Sequence, residues 1–298
     1  MIRHILVGTS GLASDADLLT TAFNLARPFL AHVDVLHVRR DPAQDLPLYG
    51  ESIPPDMLDA IIREAELNAR EASAVARRMF DQAVTAAAIP MANVPGGPDE
   101  GQERVTASWR EIAGVPVRVL AAEARFADLT LLTRPTGTPV DLNMIEGPLF
   151  EAGRPVLLTG NDMAHPDRVV IAWDGSPPAV RAVASARDFI VRAVEVNILV
   201  VEDEAVGAVA AAVSGRLHPR PDRLAAHLAW HGVLAETRLV SRQGRTVGET
   251  LAETATDLNA GLLVMGGYGH SRFREIVLGG ATRHMLTIPT GCAVLLAH

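Results

Sequence analysis

The chain contains no lysine, and all 27 of its basic residues are arginine. That absence excludes Walker-type NTPases, whose phosphate loop needs its lysine, and enzymes that form a Schiff base through lysine. Any phosphate charge must be met by arginine, by backbone amides or by a metal. Cysteine is nearly absent too. The single Cys292 permits no intramolecular disulfide and no cysteine-based zinc site. It lies in the apolar run 291–296 and reads as buried packing rather than as a reactive thiol. Aromatic residues make up 4% of the 298 residues, so the core must be built mainly from Ala, Val and Leu. No apolar run approaches the roughly 18–20 residues that cross a bilayer. The opening Met1-Ile2-Arg3-His4-Ile5-Leu6-Val7 reads as a first strand rather than as a signal segment. No membrane partner and a cytoplasmic location are therefore expected. The formal charge of -8 argues against a nucleic-acid binder, which needs a basic footprint. No Ser-His-Asp arrangement, HExxH or CxxC occurs. The densest acidic cluster, Glu202-Asp203-Glu204, is contiguous; its side chains diverge, which suits a solvated loop better than a metal site.

What is present is a duplication. Residues 5–11 (Ile-Leu-Val-Gly-Thr-Ser-Gly) parallel 169–175 (Val-Val-Ile-Ala-Trp-Asp-Gly). Residues 127–133 parallel 260–266, and 153–158 parallel 291–296. Three matches in the same order mark a repeat. Two domains of ordinary size are expected, 1–160 and 166–298, joined through a polar stretch at 160–167. In the second copy, strands are expected near 169–173, 196–201, 234–240, 262–265 and 293–296. Helices are expected near 178–192, 222–230, 246–258 and 280–287. Short apolar strands alternating with helices imply a parallel sheet covered on both faces, with ligands beyond the carboxyl ends of the strands. In the first copy, Pro54-Pro55-Asp56 opens a long helix that runs to Ala88 and is stopped by Pro90. Met57, Ile61, Ile62, Leu67 and Val75 recur along it at roughly helical spacing, which suits packing over its own domain or a partner. Residues 95–101 read as a loop.

The richest stretch follows the strand at 262–265. Gly266, Gly269 and Gly279 form a G-x2-G-x9-G spacing, followed by Gly280, which opens the helix at 280–287. Glycines let backbone N–H groups approach an anion, and a helix N-terminus favours negative charge. Two ordinary turns are the alternative. The spacing resembles the nucleotide-binding motif of the universal stress protein family, in which the last glycine is followed by Ser or Thr. Here Gly280 stands in that place, and Thr282 is the nearest hydroxyl. The resemblance extends over nearly the whole chain through the repeat. It implies two tandem Rossmann-like α/β domains of the adenine nucleotide alpha-hydrolase-like type, each doubly wound with a five-stranded, mainly parallel sheet. It also implies ATP, with or without Mg2+, as the ligand of the second domain. Asp174 then matches the strand-end residue that contacts the base, an ordinary N-cap or turn aspartate being the alternative. Val201 matches a base-pocket position. Met265, Gly266, Gly269, Gly279, Gly280, Ala281 and Thr282 match the ribose and phosphate segment. Arg272, Arg274 and Arg283 could screen phosphates or form a solvated basic face. His270 has no identified carboxylate partner and reads as a turn residue.

The first copy departs at each matching place. Ser10 replaces the aspartate. Thr133-Arg134-Pro135-Thr136-Gly137 replaces the first glycines, and its proline removes an amide donor. Glu146-Gly147-Pro148 puts a carboxylate where phosphate oxygens would sit. The first domain is therefore expected to have lost nucleotide binding. The leading expectation is a stress-response protein that binds ATP in its second domain and regulates rather than catalyses. A non-nucleotide-binding interaction module is the second expectation, acting as a homodimer or as an intramolecular pseudo-dimer through the last strand. A nucleotide α-hydrolase or adenylyl-transfer enzyme ranks third, because no additional acid or base is visible.

Overall fold

The computed structural model describes residues 1–45, 55–93, 104–134, 142–159, 166–202, 220–268, 280–288 and 290–298. These residues divide into two compact units. One comprises 1–133 and 143–152, the other 134–142 and 153–298.

The first unit begins with β1 (His4–Thr9), α1 (Asp15–Ala26), a 3-10 turn (Arg27–Phe29) and β2 (His32–Arg40). It continues with α2 (Pro42–Asp45), α3 (Pro55–Ala87), β3 (Thr106–Gly114), α4 (Pro116–Ala124), β4 (Leu129–Thr133) and α5 (Asn143–Glu151). The strands are parallel in the order β3-β2-β1-β4. Ile5, Leu6 and Val7 are all buried, so both faces of β1 are covered, as a parallel sheet requires. The acidic first turn of α1 suits the positive end of its dipole. Helix α3 ends as the sequence predicts: Ala88 turns left-handed at φ 51, and Pro90 follows.

The second unit contains β5 (Val156–Thr159), β6 (Arg168–Ala172), α6 (Pro177–Ser185), α7 (Arg187–Ile190), β7 (Glu195–Glu202) and α8 (Pro221–Ala229). Then come β8 (Ala235–Ser241), α9 (Val247–Asp257), β9 (Leu262–Gly266), α10 (Gly280–Thr287) and β10 (Ala293–Ala297). Its strand order is β5-β10-β9-β6-β7-β8. All neighbours are parallel except β5 and β10. Strand β5 is thus the fifth strand of the first repeat in sequence but lies in the second unit. All four of its residues are buried, and it pairs with Val294, Leu295 and Leu296. Among the described residues each repeat supplies five strands, and the fold is the mixed, mostly parallel α/β type. The helix expected at 178–192 is interrupted at Ala186, whose φ of -85 and ψ of 1 separate α6 from α7. Helix α9 starts on a full capping box, in which Thr246 Oγ1 accepts from the Glu249 N–H and Glu249 returns the bond.

Candidate functional site

Parallel pairing brings three sequence-predicted residues to one edge of the second unit. Register sets Ala172 of β6 opposite Leu199 of β7 and Met265 of β9. Asp174 lies two residues beyond Ala172, Val201 two beyond Leu199, and Gly266 one beyond Met265. The Trp173 N–H continues the ladder to the Leu199 carbonyl at 2.8 Å. Asp174 is exposed, and its Oδ1 accepts from the Ser176 N–H at 2.9 Å across Gly175, whose φ is 73. Ser176 in turn caps α6 by accepting from the Ala179 N–H at 3.3 Å. Asp174 therefore acts as a turn aspartate and also presents a carboxylate at the strand end.

The glycine segment has a more divided role than its spacing suggests. A Cβ on Gly266 would meet Ala179 N at 2.6 Å and Pro178 C at 2.9 Å, so glycine here permits β9 to pack on the start of α6. The Gly267 N–H donates to the Ala297 carbonyl at 2.8 Å. The Tyr268 N–H, on a residue with φ 53, donates to Thr282 Oγ1 at 3.2 Å. Both amides after Gly266 are committed to the protein. Thr282 is 4% exposed and anchors the segment after β9 to the first turn of α10. Gly280, by contrast, is exposed: a Cβ there would have no heavy atom of the described residues within 4 Å. The amides at the start of α10 have no intrahelical acceptor, and Ala281 is half-buried among them. Met265 is buried beneath, Val201 is half-buried, and Arg283 is exposed on α10. Gly269, Gly279, His270, Arg272 and Arg274 lie outside the described residues, as do Asp203 and Glu204. Sequence reading missed His298, whose Nδ1 lies 3.0 Å from the Gly267 carbonyl. Among the described residues, no group of three or more His, Cys, Asp or Glu could hold a metal. No helix among them is long and apolar enough to cross a membrane.

Residues 166–289 match the model of the Universal stress protein family. The second repeat is thus similar to a universal stress protein domain. The full chain has the fold of a universal stress protein from Archaeoglobus fulgidus DSM 4304, with a TM-score of 0.63 at 18% identity, covering 99% of this chain and 97% of that one. It is also similar to a functionally unknown protein from Pseudomonas aeruginosa PAO1, with a TM-score of 0.55 at 14% identity, covering 99% and 92%. No curated protein matches the chain. The tandem arrangement expected from the duplication is thus the fold of the whole chain.

Against the universal stress domain, the first unit closes the equivalent turn with its own carboxylate. Ser10 follows β1 where Asp174 follows β6. Asp15, 1% exposed at the start of α1, accepts from the Gly11 N–H at 2.7 Å, the Ser10 N–H at 3.0 Å and the Ser10 hydroxyl at 3.0 Å. Gly11 has φ 82, and a Cβ there would meet the Ala72 carbonyl of α3 at 2.6 Å. The long helix lies directly against this turn. Sequence reading named Ser10 but not Asp15. The sign was available in the aspartate five residues after Ser10, which replaces Ala179 of the other repeat.

A second difference lies at the amino ends of the strands. In the first unit, buried Asp34 accepts from Ser108 Oγ at 3.0 Å and from Arg110 Nε at 3.0 Å. Arg110 Nη1 also donates to Glu123 of α4 at 2.7 Å. His4 Nε2 lies 3.7 Å from Asp34, and His32 meets Thr106 Oγ1 and Ser108 Oγ at 2.8 and 3.0 Å. Burial alone would raise the Asp34 carboxyl, but bonds from His4, Arg110 and Ser108 hold it well below the usual carboxylate range. The hydrogen bond to Asp34 raises the His4 imidazolium, whereas burial lowers His32. In the second unit the matching positions hold Arg168, Glu195, Asn197 and Arg238. Arg238 Nε donates to Asn197 Oδ1 at 2.8 Å, and Asn197 donates to Glu195 at 2.8 Å.

Proposed function

We propose that the second universal stress domain binds an adenine nucleotide, ATP with or without Mg2+, beyond the carboxyl ends of β6, β7 and β9. The supporting observation is that Asp174, Val201 and Gly266 lie at the carboxyl ends of neighbouring strands, with the segment after β9 tied to α10 through Tyr268 and Thr282. Asp174 and Val201 would hold the base. Met265 would lie beneath the ribose, and Gly269, Gly279, Gly280 and Ala281 would admit the phosphates. Thr282 acts as an anchor for this segment through the Tyr268 amide. Any Mg2+ would ride on the phosphates, since no acidic cluster accompanies the site among the described residues. The role proposed is regulatory: the nucleotide would bias one arrangement of the segment between β9 and α10. The repeats proposed as domains are 1–160 and 166–298, and the setting proposed is the cytoplasm of a stressed cell.

The test is calorimetric titration of ATP–Mg2+ into the full chain, beside Asp174→Ala. Saturable binding near one site per chain, lost in the variant, is expected. Absence of heat at millimolar ATP would favour a second reading, an interaction module working as a dimer or pseudo-dimer. That reading draws on the missing hydroxyl at Gly280 and on the committed amides of Gly267 and Tyr268.

A further inference from the structure

We propose that the first unit carries an anion site of its own, a groove between α3 and strands β2 and β3 that takes a small phosphate monoester. It is independent of nucleotide binding by the second domain. The groove measures about 660 Å³ and is lined chiefly by Arg39, Arg70, Ser73, Arg77, Trp109 and Glu111. Arg70, Ser73 and Arg77 recur at three- and four-residue steps and so share one face of α3. Trp109 and Glu111 share one face of β3, and Arg39 extends the same face of β2.

The groove gathers arginines in an acidic chain, each with one carboxylate within 4 Å. Three guanidinium groups line the groove against one carboxylate, in a chain of net charge -8. Arg39 is paired with Glu111 at 3.0 Å. Arg77 reaches Asp81 at 3.0 Å and Arg70 reaches Glu66 at 3.6 Å, both as exposed i,i+4 pairs. Such pairs are worth little in water, and a dianion with several acceptor oxygens competes well for the same forks. The Arg77 guanidinium is held 5.6 Å from the ring centroids of both Phe80 and Trp109. This arrangement restricts its freedom before any ligand arrives.

Ser73 supplies the independent observation. It is 7% exposed, lines the groove, and its hydroxyl has no hydrogen-bond partner among the described residues. A helical serine ordinarily satisfies itself on a carbonyl one turn back. A buried hydroxyl left unpaired on the α3 face that carries Arg70 and Arg77 gains a partner if it rotates toward a polar ligand group in the groove. The planar, always-charged guanidinium fork matches phosphate oxygens in pairs, which selects phosphate over halide.

The chain has three tryptophans, so Trp173→Phe with Trp230→Phe leaves Trp109 as the reporter. The full-length protein in that background would be titrated with inorganic phosphate and with glycerol 3-phosphate at fixed ionic strength, with chloride as reference. A saturable change in Trp109 emission is expected for both phosphates. Affinity should fall about tenfold in Arg77→Gln and in Arg70→Gln, whose charge-assisted bonds are removed. It should fall about threefold in Ser73→Ala. Arg70 is largely exposed, so its variant keeps the fold and isolates the charge. Asp174→Ala should leave this binding unchanged. A response matching chloride, an affinity indifferent to both arginine variants, or a loss on Asp174→Ala would each overturn the proposal.

Discussion

The two units use one carboxylate each at the turn after their first strand, and they place it on opposite sides of that turn. In the second unit the carboxylate is Asp174, exposed at the strand end, with Ala179 packed behind it. In the first it is Asp15, buried behind Ser10 and filled with hydrogen bonds from the turn. One arrangement leaves the strand ends open to a ligand; the other spends its donors internally and is overlaid by α3. The lesson is that two repeats can keep one fold while one of them fills the donors of this turn with a side chain of its own.

The largest expected effect tests that contrast directly. Asp15→Ala leaves the turn amides of Ser10 and Gly11 without their acceptor and should lower the stability of the first unit by about 3 kcal/mol. Urea unfolding monitored by circular dichroism reads this. Asp174→Ala, at an exposed position, should leave the urea midpoint nearly unchanged while weakening ATP binding. If the two variants cost the same stability, the two turns are equivalent and the contrast fails.

The next effect concerns the arginines at the amino ends of the strands. Arg110→Gln strands the buried Asp34 and should cost about 2–3 kcal/mol, reduced from the fully buried case because the arginine is half exposed. Arg238→Gln faces a neutral Asn197 and should cost about 1 kcal/mol. Paired denaturation curves of the two variants would sharpen or erase this difference.

A smaller effect is a gain. Gly280→Ser fills open space and restores the hydroxyl that follows the last glycine in the family motif. ATP affinity should rise about threefold to tenfold, roughly the value of one added hydrogen bond to a charged group. Calorimetry would detect it, and an unchanged affinity would mean that the phosphates do not reach α10.

The smallest effect is the pH dependence that His4, His32 and Asp34 give the first unit. His4 titrates above its usual value, so its contribution is complete below about pH 6.5 and fades as pH rises through the folded-state value. His32 titrates below its usual value, so protonation in the unfolded chain erodes stability as pH falls below about 6.5. Asp34 contributes above the ordinary carboxylate value, and its contribution disappears only in strong acid, as pH falls through its depressed folded value. The two histidines oppose each other near neutrality. His4→Gln should therefore flatten the alkaline limb and leave the acid limb of a urea-midpoint profile between pH 5 and 8.

Much of this was legible from residue order. Strands such as 262–266 and 293–297 are short apolar runs, and α3 follows from its proline start and stop. The convergence of Asp174, Val201 and Gly266 follows from parallel strands of matched register. What escaped depends on contacts distant in sequence. No residue type marks the break at Ala186. Nothing local to β5 shows that it pairs with β10. Gly266 reads as a ligand glycine until Pro178 and Ala179 are seen against it. Asp15 reads as an ordinary helix-start acid until its burial under α3 is known.

Asp15 has one more consequence. A carboxylate tethered to the turn it fills acts as a bound anion that cannot dissociate, so it stabilises the first unit at every solute concentration. The second unit has no such tenant. Its stability would rise with free nucleotide, by about 2.7 kcal/mol at a hundredfold excess over the dissociation constant. The order in which the two halves melt would then report the nucleotide level, with the first half serving as an internal reference that does not move.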